Sequence, residues 1–253
     1  MDRYEEDEVV SYYTDDKYWD DRRPPSEYQH ERVVVLRKLI SCGIPSILWG
    51  EDAEEFAFNC NVSAARLDQH ILVPDDRLYT AVACIREHFP QYYPTTDFNP
   101  DYAEIDWRPL AGINPLPCAV RLKHSSYYGL DVRESDQFQP LDLEPPFDAL
   151  NAGILVPKYG TFIEGLVEIY MSPPTGSDPA HGQGATKHRT MLDELFDCRI
   201  QGPDHDYEPD PNGWRGKEPD VLLPIEKEII GELRTEKEIW FMTHLAEEYE
   251  VCF

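Results

Sequence analysis

The sequence predicts an α/β protein of the α+β kind: a small mixed sheet flanked by helices, with a helical C-terminal subdomain after it. Three observations predict this. Between residues 31 and 89 the apolar positions alternate between helical spacing and short β-rich runs, in the order helix, strand, helix, strand, helix. After about residue 133 helical stretches dominate, separated by breaks rich in Gly, Pro and Asp. The 253 residues, 41% of them apolar, suffice for one sizeable core with an appended subdomain. The expected division is an acidic tail at 1–30, a core at 31–145 and a helical part at 146–253.

The tail, MDRYEEDEVVSYYTDDKYWDDRRPPSEYQH, lacks either periodicity and is expected to be disordered. Its Tyr12, Tyr13, Tyr18 and Trp19 also suit an arm that binds a protein partner. From Glu31, the residues Val34, Val35, Leu36, Leu39 and Ile40 set a first helix over about 31–42, stopped by Cys42-Gly43. After Pro45, SILWG is a short buried strand ending at Gly50. Ala53, Phe56, Ala57 and Cys60 return to helical spacing over 51–60, and RLDQHILV at 66–73 is a second strand. Pro74-Asp75 opens the next helix, whose stripe is Leu78, Ala81, Val82, Ile85 and Phe89; Asp75 and Asp76 read most simply as its caps. Further strands are expected at 117–122, 127–132 and 103–107. Beyond them, 148–155, 159–172, 188–198 and 224–249 read as helices, with surface loops at 173–187 and 201–220.

Composition narrows the function classes. With 23 Lys and Arg against 49 Asp and Glu, the chain carries a formal charge of −26 and repels phosphate backbones and anionic lipid, so neither DNA nor a membrane surface is expected as a partner. No apolar run approaches the roughly 18 residues of a bilayer span. The acidic start MDRYEEDEVV has neither an export nor an organelle-import pattern, which makes the cytoplasm the expected compartment. Cys42, Cys60, Cys84, Cys118, Cys198 and Cys252 are widely spaced and form no Cys-x-x-Cys, so neither a zinc site nor a disulfide framework is expected. The cysteines in helical stretches read as packing residues.

Residues 43–76 carry the most chemistry. A strand ends at Gly50, a helix begins with Glu51-Asp52, and a second strand sets Asp68 and His70 two residues apart, hence on one face. The glycine lets backbone approach a ligand closely. A helix start offers free N–H groups to phosphate, and strand residues i and i+2 can hold one cation together. Plainer readings exist for the same residues: Asp68 and His70 as exposed positions of a half-buried strand, Gly50 as a helix-entry turn, Glu51 and Asp52 as first-turn acids favoured by the helix dipole.

On these residues the stretch resembles the opening of the nucleotidyltransferase fold, in particular nucleotidyltransferase-like proteins of fungi related to the abortive-infection and aminoglycoside nucleotidyltransferases. The resemblance covers roughly residues 31–132. It implies Gly-Gly or Gly-Ser after the first strand, an acidic-x-acidic pair on the second, a third carboxylate on a later strand, and paired Mg²⁺ ions that clamp a nucleoside triphosphate. Carried over, Gly50 matches the glycine and Glu51 stands at the second Gly or Ser, which makes them the implied cofactor-binding positions. Asp68 matches the first carboxylate, His70 replaces the second, and Asp131, within Leu130-Asp131-Val132, matches the third. Asp68 and Asp131 are then the implied metal ligands, and Asp68, His70 and Asp131 the implied catalytic set. Glu51 departs from the pattern by placing negative charge where phosphate sits, and His70 by offering a poorer hard-cation ligand than a carboxylate.

A second acidic pair, Glu104-Ile105-Asp106, would line the same cleft together with His124 and Asp131 if 103–107 lies beside 127–132. HGQGATKH at 181–188 lacks the spacing of a phosphate loop and reads as surface, as does DHDY at 204–207. The functional expectation is a nucleotidyltransferase-like transferase acting on a small or nucleotide-bearing substrate between core and helical subdomain, with His70 as ligand or general base. Mg²⁺ and a nucleoside triphosphate are the implied cofactors. The alternatives are a catalytically degenerate binding or regulatory protein, and a specialised-metabolite enzyme that reuses the fold.

Overall fold

The computed structural model describes residues 26–58, 68–94, 104–109, 119–143, 145, 148–171, 231, 233 and 237. Its helices are α1 (Ser26–Arg32), α2 (Val34–Ser41), α3 (Glu51–Phe58), α4 (Leu78–His88) and α5 (Tyr159–Met171). The strands are β1 (Ile47–Trp49), β2 (Asp68–Val73), β3 (Tyr92–Pro94), β4 (Glu104–Pro109), β5 (Ala119–His124), β6 (Phe138–Pro140) and β7 (Leu155–Pro157), and they form one mixed sheet in the order β3-β4-β5-β2-β1-β7-β6. β2 runs antiparallel to β1 and parallel to β5, while β7 runs parallel to β1. The mixed sheet flanked by helices is the expected fold class. Among the described residues no helix is long and apolar enough to cross a membrane.

Strand alternation gives the sheet two unlike faces. Leu48, Ile71, Val73, Val120 and Leu122 share one parity and merge into a single apolar core with Val35, Leu36 and Leu39 of α2 and Ala81 and Ile85 of α4. The amphipathic spacing of α2 and α4 forces this, since each helix has one apolar stripe to bury. On the other face, Trp49 is fully buried, with ring centroids 4.5 Å from both Tyr128 and Phe162 of α5. α5 approaches the indole closely because Gly165 has no side chain: a Cβ there would sit 2.6 Å from Trp49 Cη2. Lys237, also buried, continues this layer by pairing with Glu168 of α5 at 2.7 Å and donating to the Glu164 carbonyl at 2.9 Å.

Polar ties fix the helices in place. Arg32 of α1 donates to Asp52 of α3 at 2.8 Å with both side chains buried, and Gln69 of β2 donates to the Arg32 carbonyl at 2.6 Å. Burial pushes the Asp52 carboxyl up, and the Arg32 guanidinium opposes that. Asp52 is therefore an interior partner and not only a first-turn acid. Arg37 of α2 donates to Asn151 at 2.8 Å and lies 2.9 Å from His30 Nδ1, joining α1, α2 and the 3-10 turn Asp148–Asn151.

Several expected elements differ. The first helix is two, broken at Val33, and α1 begins inside the expected tail. Residues 127–132 are not a strand: Ser125–Tyr128 winds into a 3-10 turn whose end is closed by N–H groups of Gly129 and Leu130 donating to the carbonyls of Ser126 and Ser125. Tyr128 is thereby turned onto Trp49, a packing gain that outweighs the strand preference of Tyr-Tyr-Gly-Leu-Asp-Val. Residues 148–155 are not a helix either, because Leu155 leaves the Asp148–Asn151 turn to pair with Ile47. The sheet thus extends past the expected core boundary at 145. Asp75 and Asp76 cap nothing through their side chains. Asp75 accepts from Ser126 Oγ at 2.5 Å and Asp76 pairs with Arg133, whose guanidinium holds that carboxyl below its usual range. The expected helices at 188–198 and 224–249 lie outside the described residues, apart from 231, 233 and 237 in the second.

Two outcomes follow for stability. Asp52→Asn removes the carboxylate that pairs with buried Arg32 and should lower the unfolding free energy by about 3 kcal/mol, read from urea midpoints; an unchanged midpoint would show that the pair contributes nothing net. His30 is held below the ordinary imidazole value of 6.5 by burial and by Arg37, so the native state favours the neutral ring. Its contribution is complete above 6.5 and is lost as pH falls from there through the depressed native value. Urea midpoints should fall between pH about 7.5 and about 5.5, with a smaller fall in His30→Gln.

Candidate functional site

The antiparallel register of β1 on β2 sets Trp49 opposite His70. The chain then leaves β1 at Gly50, which takes φ +69° and lies directly against the imidazole: a Cβ at position 50 would be 3.2 Å from both Cβ and Cγ of His70. Only a residue without a side chain fits this turn at its positive φ without strain. His70 is 4% exposed, so it is an interior group of this corner and not an exposed strand position. α3 starts at once, with the N–H groups of Ala53 and Glu54 returning to the Gly50 carbonyl at 2.9 and 3.0 Å. Glu51, in the first turn, is 7% exposed. Asp68 begins β2 and is paired in register with Ala119 of β5.

The next two strands extend the row. Arg121 of β5 is the register partner of His70, and Lys123 that of Leu72. On β4, Asp106 is the partner of Arg121 and Glu104 that of Lys123. Each of these basic positions of β5 therefore has an acidic position of β4 opposite it in register. Lys123 is buried, with its ammonium 3.3 Å from the Tyr128 hydroxyl and 5.1 Å from the Tyr127 ring centroid. Sequence reasoning passed over Arg121 and Lys123. Their signal was the alternation Val120-Arg121-Leu122-Lys123, which assigns the two basic residues to the face opposite the apolar core.

The expected residues do not all meet. Gly50, Glu51, His70 and the start of β2 at Asp68 share one corner of the sheet. Asp131 is elsewhere: it is half exposed, it accepts from the Arg133 N–H at 3.0 Å, and Arg133 in turn pairs with Asp76 just after β2. β2 is six residues long, so its two ends are about 16 Å apart, with Asp68 at one and Asp76 beyond the other. The structure does not bring Asp131 to Asp68. His124 is also removed from the acidic pair of β4, since it shares the strand parity of Val120 and Leu122 on the core face.

The donor set decides what the corner can hold. With Asp131 at the far end of β2, the residues do not fit a pair of Mg²⁺ ions clamped by three carboxylates. Among the described residues no group of three or more His, Cys, Asp and Glu side chains is arranged to hold a metal ion. What the corner offers is a glycine turn against an imidazole, with basic positions one strand away.

No family model matches the chain, and no curated protein matches it. Among solved structures, the chain is similar to the solution structure of the antibiotic-resistance factor ANT(2'')-Ia, with a TM-score of 0.40 at 13% identity, over 70% of this chain and 84% of that one.

Gly50→Ala tests the corner directly. Holding alanine at positive φ should cost about 1–2 kcal/mol, and its methyl group should displace the imidazole. A lowered urea midpoint together with shifted His70 ring resonances is expected. Retention of both would show that the turn has room to relax.

Proposed function

We propose that this chain is a cytoplasmic, nucleotidyltransferase-like transferase that takes a phosphate-bearing, nucleotide-type substrate at the corner formed by β1, β2 and β5. The observation that supports this most is the Gly50 turn resting on His70 while Arg121 occupies the neighbouring register position. A turn without a side chain admits a phosphate close to backbone, a guanidinium suits phosphate oxygens, and an imidazole accepts a proton near neutral pH. In this reading Gly50 shapes the phosphate edge, Arg121 offers its guanidinium to the phosphate, and His70 takes the proton of the acceptor hydroxyl. Asp68 would hold a single Mg²⁺, which when bound supplies charge neutralisation on the phosphates. Asp131 has no part in it.

A second reading, a degenerate member that binds or regulates, is favoured by one specific feature: Glu51 is buried at the position where phosphate would rest. Its desolvated negative charge opposes a phosphate more strongly than a surface acid would.

Thermal-shift titration with ATP, CTP, GTP and UTP, with and without Mg²⁺, separates the two. For the transferase, stabilisation needs nucleotide and metal together and disappears in Asp68→Ala; at about 100-fold excess over Kd it amounts to about 2.7 kcal/mol. No shift in the natural protein, with a shift appearing in Glu51→Ser, would overturn the transferase in favour of the degenerate member.

A further inference from the structure

Cys42 and Cys84 are 42 residues apart in sequence, yet their sulfurs lie 3.3 Å apart, with the Cys84 thiol donating to Cys42 Sγ. Both are free thiols; Cys42 is exposed and Cys84 buried. Backbone geometry fixes each of them. Cys42 caps the C-terminus of α2, where its N–H reaches the carbonyls of Lys38 and Leu39 at 3.0 and 3.1 Å, and the following N–H groups of Gly43 and Ile44 return to Ile40 and Leu39. Cys84 lies within α4, one helical step from the core residues Ala81 and Ile85. The two helices pack side by side on the same face of the sheet. Disulfide sulfurs sit about 2.05 Å apart, so closing this pair needs about 1.3 Å of thiol movement, within reach of a side-chain rotation.

We propose that Cys42 and Cys84 form a redox-sensitive dithiol that closes to a disulfide and staples α2 to α4. The oxidant is a small disulfide such as oxidised glutathione. The exposed Cys42 thiolate attacks it, the glutathione S–S bond breaks, one glutathione thiolate leaves, and Cys42 carries the other as a mixed disulfide. Cys84 then gives up its proton and attacks Cys42 Sγ. The mixed disulfide breaks, the second glutathione thiolate leaves, and Cys42 and Cys84 are joined. Two protein thiols are oxidised and one glutathione disulfide is reduced to two thiols.

The surroundings assign the order of the steps. Burial, with the Cys42 thiol beside it, pushes the Cys84 thiol up to about 11; Lys38 works against this and Glu87 adds to it. Cys84, the buried and less acidic thiol, is thus the resolving thiol, and closure speeds up as pH rises. The bond would enclose β1, α3 and β2 in a covalent loop and so restrict the unfolded chain. Neither cysteine lies on the sheet face that carries His70, so the proposal stands independently of the nucleotide reading.

The test is equilibration of the native chain in glutathione buffers of rising oxidised fraction, followed by alkylation, digestion without reductant and mass spectrometry. A Cys42–Cys84 linked peptide is expected, reversed by dithiothreitol, together with a melting temperature several degrees higher than that of the reduced chain. Cys42→Ser, at an exposed cap, should fold normally and show neither effect. A companion chain with Cys60, Cys118, Cys198 and Cys252 replaced by Ser removes competing partners and should still form the bond. Persistence of Cys42 as a glutathione adduct beside an alkylated Cys84 in both chains would overturn the proposal, as would a linked peptide without any rise in melting temperature.

Discussion

The register between β1 and β2 is the constraint on which the rest of the molecule depends. With Trp49 paired to His70, the odd residues of β2 enter the helical core and the even ones face the other way. A slip by one residue would exchange the two sets and put His70 among the apolar side chains of α2 and α4. Contacts on both faces hold the register. On the core side Gln69 donates to the Arg32 carbonyl, and on the other the Trp49 indole is wedged between Tyr128 and Phe162. Each contact would be lost in the slipped arrangement, so the sheet has one pairing of low energy.

Charge is distributed in a way the net value conceals. A chain at −26 would be expected to keep its acids in water, yet Glu51, Asp52 and Glu54 at the start of α3 are all buried. Removing carboxylates from water is costly unless cations or hydrogen bonds compensate. Asp52 meets that requirement through Arg32, and the pairing ties α1 to the segment that carries Gly50. The corner with Gly50 and His70 is therefore braced from behind by an ion pair and from the side by an aromatic cluster. Its backbone is set by packing and needs no ligand to form.

Much of the fold was legible because it obeys local rules. The alternation of helical spacing with short β-rich runs located β1, α3, β2 and α4, and the stripe Leu78, Ala81, Val82 and Ile85 is buried in the structure. The failures share a cause. Tyr127 to Val132 has strand-like composition, but tertiary contact with Trp49 wound its start into a 3-10 turn. β3, β6 and β7 have only three residues each and, unlike β1, each ends in Pro, which reads from sequence as a break and not as a strand. Asp75 and Asp76 look like caps from sequence and are instead fastened to Ser126 and Arg133, more than fifty positions away.

The sequence by itself determined the helix and strand alternation of 31–89, the glycine turn at position 50 and the placing of Asp68 and His70 two residues apart on one strand, because each depends on residues within one turn or one strand pair of each other. Only the tertiary structure decided which distant residues join them. It placed Arg121 next to His70 through the parallel pairing of β2 and β5, and it carried Asp131 past the end of β2 opposite Asp68. It also brought Cys42 against Cys84 by laying α2 beside α4. Spacing along the chain holds no information about such meetings, because the strand order that creates them is chosen by packing of the whole core.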